Sequence, residues 1–131
     1  MKKLLLTLAF VATSLFAEVT NVYPDAAFMG KKIPIIDIRT EGEWKETGVL
    51  KGAIPIAFFD ERGSYNIPVF LKELSLKVDV KKPFALICRS GSRTKMVSSF
   101  LSEKLGYHVY DLNGGMLYAN QKKLPVAPYK K

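Results

Sequence analysis

The sequence predicts an α/β domain: a central, mostly parallel sheet of about five strands covered by helices on both faces. Three observations support this. Short apolar runs alternate with amphipathic segments along the chain. The clearest run, Phe84 to Ile87, is unbroken rather than alternating, as strands buried on both faces of a parallel sheet are. The chain has 131 residues, 48% hydrophobic and 24% charged, which is enough for one modest core of ordinary globular composition.

Residues 1–17 read as a signal peptide. Lys2 and Lys3 form a positive start, Leu4 to Ala12 an apolar stretch, and Ala17 precedes a plausible cleavage point. That stretch is short for a membrane span. The expected product is an exported chain, periplasmic or secreted, that meets a membrane only through this segment before cleavage. Residues 18–27 form a lead-in, with a first strand over Val19 to Tyr23. The main domain is expected over 28–128 and a basic tail over 129–131.

A brief helix follows the first strand, between Pro24 and Gly30. Ile33 to Ile38 is a second buried strand. Thr40 and Glu43 then have the spacing of a capping box, opening a helix through Glu46 with Trp44 as its apolar anchor. Gly52 to Ala57 reads as a third strand, and Phe58 to Gly63 as a loop leaving it toward the site. A helix from Pro68 carries Phe70, Leu71 and Leu74. Phe84 to Ile87 is the fourth strand. From Ser92 the period changes: Met96, Val97, Phe100, Leu101 and Leu105 fall at spacings of three and four. Gly106 stands where a left-handed cap belongs. Tyr107 to Leu112 is the fifth strand, closed by Asn113-Gly114-Gly115.

Chemistry is concentrated in CRSGSR, residues 88–93, between the fourth strand and its helix. Cys88 is the sole cysteine, at the carboxyl end of a strand, where open α/β sheets bind ligands. A free thiol is only about 3% ionised at neutral pH. Amides of a short Ser/Gly loop, a helix N-terminus and the flanking Arg89 and Arg93 each favour the thiolate. Ser90, Gly91 and Ser92 complete the cradle. The loop by itself also fits a buried structural cysteine, since free Cys often acts as a small hydrophobe. A lone cysteine excludes an internal disulfide or dithiol cycle. With one Cys and one His, no Cys/His metal site can be assembled, and no cofactor is expected. His108 opens its strand, at the end away from Cys88, so a structural role is expected for it.

The C-x4-R spacing of Cys88 and Arg93 is one residue shorter than the C-x5-R loop of cysteine-dependent phosphatases, which encloses a tetrahedral phosphate. CRSGSR resembles the active-site loop of rhodanese (sulfurtransferase) domains. Asp37, Arg39, Glu43 and Trp44, then Gly48 and Gly52-Ala53, resemble that family's D-x-R-x-x-x-E-aromatic and G-H-I-x-G-A hallmarks; Gly114-Gly115 resembles its closing glycine pair. Val49 replaces the usual His and Pro55 the usual Asn. The resemblance implies a three-layer rhodanese-like fold and transfer of a sulfane sulfur through a persulfide on Cys88. It further implies an anionic donor such as thiosulfate, favoured by a cation after the cysteine, and a thiol or cyanide acceptor. Asp37, Phe58 and Phe59 are expected at the pocket rim, and Arg39 and Glu43 are close enough to pair.

The net charge of +8 falls to +6 once Lys2 and Lys3 leave, and the lysines are scattered in pairs without interleaved aromatics. Nucleic acid is therefore not an expected partner; small anions and a protein sulfur acceptor are. Two other functions fit the same residues. One is a persulfide carrier that does not turn over free donor; the other is a small phosphatase or arsenate reductase.

Overall fold

The computed structural model describes residues 17–131. The expected signal segment therefore lies outside the described residues, apart from Ala17. In chain order the elements are β1 (Glu18–Val22), α1 (Ala26–Met29), β2 (Ile35–Asp37), α2 (Glu41–Thr47), β3 (Val49–Leu50) and β4 (Ile54–Pro55). They continue with α3 (Ile67–Lys77), β5 (Phe84–Ile87), α4 (Ser92–Leu105), β6 (His108–Leu112), α5 (Gly115–Gln121) and β7 (Val126–Ala127).

Five strands form one sheet in the order β1-β6-β5-β2-β4, and every pairing in it is parallel. The expected five-strand α/β architecture is thus present. β5 is central and all four of its residues are buried, which is why its sequence does not alternate. Side chains leave it to two cores. Phe84, Leu86 and Cys88 join Phe58, Phe70, Leu74, Val97, Leu101 and Val109. Ala85 and Ile87 join Phe28, Leu112, Met116 and Ala119 on the other face. The sheet therefore lies between α3 and α4 on one side and α1 and α5 on the other.

Local chemistry sets the helix starts and stops. Thr40 and Glu43 make the capping box reciprocally. The Asn66 side chain accepts from the Val69 amide, with Pro68 in the first turn of α3. Gly106 ends α4 at φ 76°, the left-handed cap its position suggested. α1 is started by Asp25, whose carboxylate accepts from the Phe28 amide at 2.9 Å.

Three features depart from the sequence reading. The third strand is two residues long, at the sheet edge beside β2, and beyond it the Ile56 and Phe58 amides still donate to the Asp37 and Ile38 carbonyls. β3 and β7 form a separate antiparallel pair, Val49 opposite Ala127 and Leu50 opposite Val126. Gly115 opens a helix, α5, rather than only a turn. Among the described residues, no helix is long and apolar enough to cross a membrane.

Candidate active site

Parallel strands place their carboxyl ends on one edge of the sheet, and the loop 88–93 occupies that edge between β5 and α4. Gly91 enables the tight return into the helix: it has φ 101°, and a Cβ there would lie 3.2 Å from the Gly114 nitrogen. Gly115 lies beneath the loop. A Cβ on it would stand 2.5 Å from the Cys88 carbonyl oxygen and 2.6 Å from that of Arg89. Those carbonyls instead accept hydrogen bonds from the amides of Met116 (2.9 Å) and Leu117 (3.0 Å). The first turn of α5, whose amides have no partner within the helix, thus holds the loop from below.

Cys88 is fully buried. The Gly91 amide donates to its Sγ at 3.2 Å, and among the described residues no other loop amide makes that contact. On the other side, Thr94 Oγ1 lies 3.7 Å from the sulfur. The same hydroxyl is 2.7 Å from Asp111 Oδ1 and 3.2 Å from the Gly91 carbonyl. Thr94 and Asp111 were not singled out in the sequence. The available signals were a carboxylate near the end of an otherwise apolar strand and a hydroxyl one residue after Arg93.

Arg93 makes a bidentate ion pair with Glu43, both contacts 2.8 Å. The Arg93 hydrogen bond, assisted by Thr40, outweighs burial and lowers the Glu43 pKa to about 2; Glu43 in turn raises that of Arg93. Glu43 therefore does not pair with Arg39. Arg39 bends back to Asp37 at 2.8 Å and donates to Thr47 Oγ1 and the Gly48 carbonyl. Asp37 is fully buried in that pair, not exposed at a pocket rim. The reason is that Arg39 precedes the helix N-cap, so its side chain follows the strand end and not the helical spacing.

Arg89, Ser90 and Ser92 are exposed. Ser90, Gly91 and Ser92 line a cleft of about 380 Å³ with Lys95, Asn113 and Gly114. This is an open, cationic space against the outside of the loop. Phe58 is buried and Phe59 half-buried, in an aromatic group with Tyr65 and Phe70. With Met96 and Phe100 of α4, Phe58 and Phe59 line a depression of about 180 Å³ that contains no residue of the loop. His108, at the amino end of β6, lies 3.3 Å from Glu18 and 3.2 Å from Thr20. It takes no part in the site.

The thiol stands at a strand end in a loop that a glycine pair supports, but it meets one loop amide, that of Gly91, where a cradle of amides from residues 89–93 was expected. The Rhodanese-like domain family matches residues 25–121. The chain belongs to this family. Relatives include a tRNA uridine(34) hydroxylase of Chlamydia abortus, 31% identical over 88 residues, which cover 66% of this chain and 26% of that protein. The chain therefore spans about a quarter of that relative's length. An uncharacterized protein of Rickettsia prowazekii is 30% identical over 93 residues, 68% of this chain and 73% of its own. The crystal structure of Rv0390 from M. tuberculosis superposes with a TM-score of 0.67 at 20% identity, covering 84% of this rhodanese-like chain and 98% of the other. At that identity the likeness speaks for the fold alone. A mostly parallel five-stranded sheet flanked by helices is common to this chain and its rhodanese-like neighbours.

Proposed function

We propose that this rhodanese-like domain is a sulfurtransferase that moves a sulfane sulfur from an anionic donor such as thiosulfate to cyanide or a thiol, through a persulfide on Cys88. The observation that carries this reading is the Gly91 amide 3.2 Å from the only sulfhydryl, in a loop of C-x4-R length at a strand's carboxyl end. A loop that short suits one additional sulfur atom better than a phosphate.

The chemistry is two-step covalent catalysis. Cys88 sulfur attacks the outer sulfur of thiosulfate; the S–S bond of the donor breaks, its electron pair leaves with sulfite, and a new S–S bond forms on Cys88. The proton of the thiol departs with the sulfite as hydrogensulfite. Cyanide then takes the outer sulfur as thiocyanate and returns the thiolate. Arg89 and Lys95, flanking the outside of the loop, supply positive charge to an approaching dianion. Because Cys88 has no exposed surface, the loop shifts for the donor to reach it. Within the same reading, residues 1–17 direct export, which leaves Glu18, the first residue of β1, at the new N-terminus.

The test is thiocyanate formation from thiosulfate and cyanide by the purified protein. Activity is expected in the wild type and absent in Cys88→Ser, with a sulfur adduct on the wild type by intact mass. Equal product from both ends the enzyme reading. The closure of the resting sulfur favours one second reading, a carrier loaded by a partner protein that opens the loop. A persulfide on the isolated protein without thiocyanate turnover would select it.

A further inference from the structure

We infer that residues 126–131 form a strap that pins α2 to the domain, and that Tyr129, its anchor, is a positioning residue for the Glu43–Arg93 pair at the end of the loop. This goes beyond the proposed reaction and does not depend on it. α2 has little to hold it by itself. It is seven residues long, carries Gly42 in its first turn and buries one side chain, Trp44. A helix of that length is not stable alone in water, and an interior glycine weakens it further. The capping box orders only its start. Yet α2 supplies Glu43, whose carboxylate takes both arms of Arg93 at 2.8 Å. Its order therefore comes from what packs against it.

The strap runs back along α2 from its end to its first turn. Just past the helix, Val49 and Leu50 pair with Ala127 and Val126, and the Lys51 amide donates to the Pro125 carbonyl at 3.0 Å. Gly48 permits this approach: it has φ 73°, and a Cβ there would lie 2.6 Å from the Ala127 carbonyl oxygen. Midway, the Tyr129 ring lies against Trp44, their centroids 5.1 Å apart. At the first turn, Glu41 Oε2 accepts from the Tyr129 hydroxyl at 3.4 Å and pairs with Lys131 at 3.6 Å. The spans agree: extended chain from Ala127 to Lys131 covers about 13 Å, against a rise of about 10 Å over α2. Glu41 and Trp44, three residues apart, share the face the strap grips; Glu43 leaves another face toward Arg93 of α4. α2 is thus clamped between the strap and α4. The strap lies outside residues 25–121, so the family match does not account for it. The Arg93 pKa is raised chiefly by the Glu43 hydrogen bond, and attraction to Cys88 adds to it, so what fixes Arg93 bears on the sulfur.

Trp44 is the sole tryptophan, so its emission reports the strap in the full protein and needs no turnover. Its Nε1 is buried without a hydrogen-bond partner among the described residues, so water reaching it shifts the emission to longer wavelength. At neutral pH the folded wild type should shield Trp44 from acrylamide. Tyr129→Ala, with folding checked by circular dichroism, should emit at longer wavelength and be quenched more strongly. Tyr129→Phe, which keeps the ring, should retain the wild-type signal. Positioning is read by a double-mutant cycle between Tyr129 and Glu43, which make no hydrogen bond or ion pair with each other. In the Tyr129→Ala background, the urea-midpoint shift caused by Glu43→Gln should fall to about half or less, because a loosened α2 no longer presents the carboxylate to Arg93. Sites that act independently give equal shifts in both backgrounds. Equal shifts overturn the inference, and so does a folded Tyr129→Ala with wild-type emission. A Trp44 that acrylamide reaches as readily in the folded wild type as in urea overturns it whether or not Tyr129→Ala folds.

Discussion

Gly63 and Gly115 show how one residue type serves two purposes. Both have positive φ, 85° and 55°. At Gly63 an added Cβ would meet nothing within 4 Å, so Gly63→Ala is expected to cost only backbone strain, about 1 kcal/mol. At Gly115 the Cβ would strike the carbonyls of Cys88 and Arg89, which belong to backbone and cannot rotate away. Gly115→Ala should therefore cost at least about 2 kcal/mol more and displace the loop that carries the sulfur. Urea unfolding of the two variants gives the difference, and persulfide loading of folded Gly115→Ala reads the loop. Equal unfolding midpoints would mean that the close approach does not fix this glycine. The glycine pair and Cys88 were legible because each is marked by residue type. Thr94 and Asp111 were not, since the contact joining them spans seventeen residues and exists only once β6 lies beside α4.

At the scale of elements, local signals transferred well and borrowed ones did not. The capping box was readable because both of its partners lie within four residues. Thr40→Ala should lower stability by about 1 kcal/mol. It also removes one of the groups that position Glu43 for Arg93, so loss of the α2 cap and slower sulfur transfer are expected together. Normal transfer rates in a destabilised Thr40→Ala would separate the cap from the site. α5 was not legible: it opens with two glycines, has no side-chain cap, and its first amides are satisfied by carbonyls of a loop more than twenty residues earlier. β3 and β7 are two residues each, and only their pairing across the chain makes them strands. The Arg39–Glu43 expectation failed for a related reason. A separation of four residues brings side chains together only when both lie in the helix, and Arg39 precedes it.

Across the whole molecule, the parallel sheet gathers the carboxyl ends of its strands on one edge, and the Arg93–Glu43 pair ties α4 to α2 over that edge. This tie predicts an acid sensitivity with a definite sign. The folded-state pKa of Glu43 is depressed from 4.5 to about 2, first by the Arg93 hydrogen bond and against the opposing effect of burial. Its contribution is therefore fully present above the ordinary carboxylate value and is lost as pH falls toward about 2. The pair is partly exposed, so screening limits that contribution to about 1 kcal/mol at neutral pH. Glu43→Gln should accordingly be less stable than the wild type at pH 7. The two unfolding midpoints should converge between about pH 4.5 and pH 2, as protonation turns the wild-type carboxylate into a neutral group like the amide. A gap that persists undiminished at pH 2 would show that Glu43 acts through packing and the helix cap instead of through its charge. Convergence would assign the acid dependence to one ion pair between residues fifty positions apart, which the fold has brought together.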